Sequence, residues 1–98
     1  MTIARHYVMV AAEGKAAELK AALAELATKV RPVPGCLGVE LMSDMADAGR
    51  FVFIERWDSV ESHKSGGKIL GREAVAPVMA CVGKPPEACS LDVEPLAL

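Results

Sequence analysis

The chain has 98 residues, 52% hydrophobic and 24% charged, with a formal net charge of −2 at pH 7. That length is one domain's worth, and a mean hydropathy of +0.28 excludes intrinsic disorder. No apolar run reaches the ~18 residues that span a bilayer, and the absence of a Lys/Arg cluster, with aromatics at 4%, excludes a nucleic-acid footprint.

In chain order, residues 3–12 (IARHYVMVAA) are β-rich and read as a strand. Glu13-Gly14-Lys15 breaks it and opens a helix in which Leu19, Leu23, Leu26 and Val30 share one face. Pro32-Val33-Pro34-Gly35 ends that helix, since proline lacks the N–H and restricts the residue before it. Residues 36–43 (CLGVELMS) form a second strand, with Leu37, Val39 and Leu41 on one side and Cys36, Gly38, Glu40 and Met42 on the other. A short turn closed by Gly49 leads to a third strand, 50–57 (RFVFIERW), where Phe51, Phe53, Glu55 and Trp57 share a face.

Asp58 reads as the cap of the next helix, with Glu61 reaching back to it. That helix should end near Ser65, interrupted by Gly66-Gly67, and a helical pattern resumes over 72–82, where Pro77 either kinks it or sits in its first turn. After Lys84-Pro85-Pro86, residues 88–94 alternate as a fourth strand, Cys89, Leu91 and Val93 inward and Ser90, Asp92 and Glu94 outward.

The order strand, helix, strand, strand, helix, strand predicts an α+β fold over 1–98: a ferredoxin-like βαββαβ split sandwich, with both helices on one face of a four-stranded antiparallel sheet. In a sheet with one wet face, apolar and polar residues should alternate. Here Ala4, Val8 and Val10 oppose Ile3, Tyr7 and Met9, and Val52 and Ile54 oppose Phe51 and Phe53, so both faces are apolar. The second face calls for a second copy, a homodimer with its sheets packed face to face.

The N-terminus lacks the three regions of a signal peptide. The three cysteines, Cys36, Cys81 and Cys89, have no CxxC spacing, so reduced thiols in a cytoplasm are the expectation. No membrane or nucleic-acid partner is expected, and no short ligand spacing supports a metal site.

The segments VMVAAEGKAAELKAAL (8–23), VRPVPGCLGVELMSD (30–44) and FVFIERWDSVESHKSGGK (51–68) resemble the antibiotic biosynthesis monooxygenase (ABM) family of dimeric α+β barrels. Pro34-Gly35 matches its helix-to-strand step, and Glu55, Trp57, Asp58 and His63 match its pattern of acid, Trp, capped helix and His. The resemblance implies a small ligand pocket in each protomer of a dimer. Haem-degrading and polyketide-oxidising branches use a pocket Asn, and this chain contains none. The branch left is cofactor-independent oxidation of a small phenolic or quinol substrate by O₂. Alternatives are a decarboxylase, isomerase or cyclase of the same superfamily, or a small-ligand-binding dimer without turnover.

For a phenol, His63 is the base candidate, because a pKa near ~6.5 suits proton transfer at neutral pH. A structural histidine bonded to a neighbouring backbone group or to Glu55 is the competing reading. Tyr7 and His6 are adjacent on one strand and point to opposite faces, so one of them can reach a pocket. Trp57 is expected to pack under the helix start or to wall the substrate. Glu55 and Arg56 interrupt an apolar strand; Glu55 is placed to orient His63, and Arg56 to pair with Asp92 or Glu94 across the dimer.

Overall fold

Six elements follow one another in the computed structural model, which describes residues 1–96. They are β1 (Ile3–Val10), α1 (Ala16–Val30), β2 (Cys36–Ser43), β3 (Arg50–Trp57), α2 (Val60–Met79) and β4 (Glu87–Asp92). The strands form one antiparallel sheet in the order β2-β3-β1-β4. Each helix therefore connects two strands separated by a third, the split βαβ arrangement predicted.

The core lies between the sheet and the helices. Leu19, Leu23, Leu26 and Val30 of α1 are buried, as their spacing predicts. They meet Ile3 and Met9 of β1 and Phe51, Phe53 and Trp57 of β3 in one cluster. On β1 and β3 the odd-numbered residues face the helices: Ile3, Tyr7 and Met9 stand opposite Trp57, Phe53 and Phe51.

Several local expectations are corrected. In β2 the register slips between Cys36 and Gly38, which pair with Trp57 and Arg56 respectively. This bulge makes Leu37 the extra residue, 58% exposed, and brings Cys36 onto the core side with Val39 and Leu41. The cap of α2 is Ser59, whose Oγ accepts from the Ser62 N–H at 3.0 Å. Asp58 instead gives its N–H to the Gly35 carbonyl at 2.9 Å, which holds its backbone out of the helix.

The helix also continues through Gly66-Gly67. Gly66 is buried, and a Cβ there would lie 2.7 Å from Trp57 Cη2 and 3.0 Å from Val33 Cγ1. The glycine therefore answers close packing on the indole. The break falls at Gly71, with φ 72° and ψ 178°. Pro77 lies inside α2, six residues past that break, and neither makes the kink nor starts the helix.

In β4, Cys89 and Leu91 pair with His6 and Ala4, which puts them on the sheet face away from the helices. Ser90 and Asp92, opposite Arg5 and Ile3, take the helix side, the reverse of the expectation. As an edge strand, β4 has all its residues exposed, so its alternation carried no record of the core.

Candidate active site

Strand alternation places the chemistry. Arg5 and Tyr7 sit two apart on β1, Glu55 and Trp57 two apart on β3, and Arg5 stands directly opposite Glu55. All four side chains rise on the helix side of the sheet. The first turn of α2 brings His63 over them. Its ring meets the Trp57 ring edge-on, with centroids 5.7 Å apart and planes at 63°.

Of these, Tyr7, Glu55, Trp57 and His63 line a cavity of about 360 Å³ between sheet and helices, and Arg5 stands behind Tyr7. Tyr7, Glu55 and Trp57 form its sheet wall, Leu26 and Val30 of α1 close one side, and His63 with Gly67, Leu70, Gly71, Arg72 and Val75 of α2 closes the other. Glu55 and Trp57, 7% and 1% exposed, are its deep end. Arg72 and Val75 are exposed at its rim. The volume falls in the range of small-molecule sites, ~300–1,000 Å³.

The polar groups are held in two hydrogen-bonded sets. Trp57 Nε1 donates to Glu55 Oε1 at 3.1 Å. Arg5 Nε donates to the Tyr7 hydroxyl oxygen at 3.3 Å, and its Nη1 donates to Ser90 Oγ at 2.9 Å. The guanidinium carbon lies 5.1 Å from the Tyr7 ring centre, a cation–π contact. Phe53 braces the same ring at 6.3 Å.

Burial raises the pKa of the Glu55 carboxyl above the usual carboxylate range, opposed by the Trp57 N–H, Arg5 and Tyr7. Burial, then Glu55, also raise the Tyr7 phenol, with Arg5 pulling the other way. Desolvation, Arg5 and Lys64 lower the pKa of His63. At neutral pH the cavity therefore holds a neutral imidazole that can accept a proton and a phenol that can donate, beside the buried Glu55 carboxyl group.

Of the residues expected at a site, Tyr7, Glu55, Trp57 and His63 converge here. His6 and Arg56 do not. His6 lies on the other face, lining a recess of about 270 Å³ with Val8, Glu87, Ala88 and Cys89. Within the subunit Arg56 pairs with Glu40 of the adjacent β2 strand at 3.1 Å. The Glu55 hydrogen bond goes to Trp57, not to His63. Among the described residues, no cluster of three His, Cys, Asp or Glu side chains could hold a metal ion.

Sequence reasoning missed Arg5 and the α2 wall. Arg5 was legible, since it is one alternation step from Tyr7 on an otherwise apolar strand. Leu70, Gly71, Arg72 and Val75 were obscured by the expected break at Gly66-Gly67.

No curated protein matches this sequence. Solved structures do. A protein of Mycobacterium tuberculosis superposes with a TM-score of 0.84 at 19% identity, covering 100% of both chains. A proposed antibiotic biosynthesis monooxygenase from Caulobacter crescentus gives 0.82 at 26% identity, covering 95% of this chain and 90% of that one. SnoaB, a cofactor-independent oxygenase from Streptomyces nogalater, gives 0.81 at 13% identity over 97% of this chain and 95% of its own. The model of one family, antibiotic biosynthesis monooxygenase, matches residues 2–65. That span holds Tyr7, Glu55, Trp57 and His63, and stops short of the α2 residues at the cavity rim. This chain belongs to the antibiotic biosynthesis monooxygenase family.

Proposed function

We propose that the protein is a cofactor-independent monooxygenase that oxidises a small phenolic or quinol substrate with O₂. The observation that carries this reading is the convergence of His63, Tyr7, Glu55 and Trp57 on one mostly apolar cavity. The ring of the substrate packs against Trp57, Leu26 and Val30. His63, neutral at physiological pH, accepts the proton of the phenolic hydroxyl, and the electron pair stays on oxygen as phenolate. Arg5, acting through the Tyr7 hydroxyl, offsets that negative charge.

The phenolate passes one electron to O₂, leaving a phenoxyl radical and superoxide. These recombine by forming a carbon–oxygen bond at the ring. The resulting peroxide loses its O–O bond, one oxygen remaining as the new carbonyl and the other leaving as water with the proton from His63 and the ring hydrogen. One phenol and one O₂ become one quinone and one water.

The same reading includes a homodimer. Val8, Val10, Val52 and Ile54 form an aliphatic strip on the sheet face opposite the helices, and each is only half-buried in the single subunit. A second copy laid on that strip removes it from water. The test of function is oxygen uptake with a panel of small hydroquinones, with product identified by mass. Uptake stoichiometric with a product that has gained one oxygen and lost two hydrogens supports the reading; a quinone without the added oxygen, or no uptake with any member, rejects it. Ligand-dependent thermal stabilisation without product would indicate a binding protein instead.

A further inference from the structure

The wall that α2 gives the cavity changes phase partway along. His63, Gly67 and Leu70 follow one another at spacings of four and three, which is one face of a helix. Carried on at ~3.6 residues per turn, that helix would turn residue 72 by about 160° and residue 75 by about 140° from Leu70, both away from the cavity. Arg72 and Val75 nevertheless line it. The residue between is Gly71, whose φ of 72° and ψ of 178° lie outside the helix, in a region essentially closed to residues with a Cβ. Nothing lies within 4 Å of where that Cβ would stand, so the glycine meets no packing demand. Its effect is to bring the next residue, Arg72, to the mouth of the cavity.

With His63 neutral, Arg72 is the one cation among the lining residues. It is exposed, and among the described residues it enters no ion pair. The one acidic side chain of the wall, Glu55, lies at the buried end against Trp57, and Glu73, next to Arg72 in the chain, is not part of the wall. Leu26, Val30 and Leu70 make the passage between apolar. An anionic group carried past them would lose its water without gaining a partner. At the mouth it keeps water and meets a guanidinium that can donate two parallel hydrogen bonds. Resting on the proposed function, we propose that the substrate is a phenol carrying an anionic arm, and that Arg72 is the specificity-determining residue that binds the arm. The ring enters first, with its hydroxyl toward His63 and Tyr7, and a carboxylate stays at the mouth on Arg72. His63 and Gly71 are separated by about 12 Å of helix rise, which one aromatic ring with a two-carbon acid arm spans together with the arginine side chain.

Trp57 is the only tryptophan in the chain and lines the cavity, so its fluorescence reports occupancy directly. Three probes of one shape are titrated under nitrogen at low salt: para-hydroxyphenylpropionate, its amide, and the corresponding amine. The acid is expected to bind about three- to fivefold more tightly than the amide, the ratio of one solvent-exposed ion pair, and the amine more weakly still. The preference should shrink as salt is added. Arg72→Gln should bring acid and amide to parity, and Arg72→Glu should put the amine first; Arg72 is exposed, so neither change disturbs the core. Lys68→Gln removes an exposed cation of the same helix that does not line the cavity, and should leave the ranking as it is. Equal affinity for acid and amide in the wild type, no binding of any probe, a preference that survives Arg72→Gln, or one that Lys68→Gln removes equally would overturn the proposal. None of these probes needs to react with O₂. An acid preference without oxygen uptake therefore rejects the monooxygenase reading and keeps the role of Arg72; uptake without the preference does the reverse.

Discussion

The two faces of the sheet are built from the same strands, yet they differ in kind. On the helix side, alternate residues of β1 and β3 give Arg5, Tyr7, Glu55 and Trp57, large or charged groups hydrogen-bonded in two pairs, three of them lining a cavity. On the other side, the intervening residues give Ala4, Val8, Val10, Val52 and Ile54, aliphatic and without such a network, with His6 and Arg56 among them. Period-two alternation alone separates the cavity face from the aliphatic face proposed to meet a second copy. The lesson is that a one-residue register slip on either strand would exchange the two roles.

Substitutions can break this division, the largest effect first. Trp57→Ala removes a fully buried indole from the helix face and should cost about 3–5 kcal/mol, read by urea denaturation. Replacing Ile54 by Asp on the opposite face should leave the cavity intact and shift the protein from dimer to monomer, read by sedimentation. A monomeric wild type would refute the adhesive role.

The glycines of α2 sharpen the contrast further. Gly71→Ala forces a side chain into a positive-φ conformation and should destabilise by about 1–3 kcal/mol, although the space around it is open. Gly67→Ala, in regular helix with nothing near its Cβ, should stabilise by about 0.5–1 kcal/mol. Equal effects at the two sites would remove the kink from the account.

The smallest expected effect is in pH. The lowered pKa of His63 means that the unfolded chain takes up its proton first as pH falls. Its contribution to stability is present above the unfolded pKa, ~6.5, and is lost as pH falls through the folded value. Glu55, with a raised pKa, works oppositely: its contribution is full below the unfolded carboxylate pKa and is lost as pH rises through the folded one. Denaturation of wild type and His63→Ala between about pH 7.5 and 5, the range in which histidine titrates, should show the variant losing less stability on acidification.

The architecture was legible because its signals are redundant. The leucine spacing of α1, the proline stop and the apolar strands each point to the same element order. The family pattern also joins Glu55, Trp57 and His63 in the sequence itself. What escaped is where local rules compete. Asp58 and Ser59 are both good caps, and the choice depends on a long-range bond from Asp58 to Gly35. Gly66-Gly67 looks like a breaker, but Gly66 is required by an indole nine residues earlier in the chain and adjacent in space. The parity of β2 turns on a bulge at Leu37, and β4 is an edge strand whose pattern has no helix to answer. Each miss is a tertiary contact overriding a local preference.

The central claim is that chemistry belongs to the helix face, with His63 as the proton acceptor, and not to the face carrying His6. Oxygen uptake on a hydroquinone substrate should therefore be compared in wild type, His63→Ala and His6→Ala, each checked for native fold. The account predicts a loss of about 10²–10⁴-fold in His63→Ala and near-wild-type turnover in His6→Ala. Undiminished uptake in His63→Ala, or loss confined to His6→Ala, would contradict it.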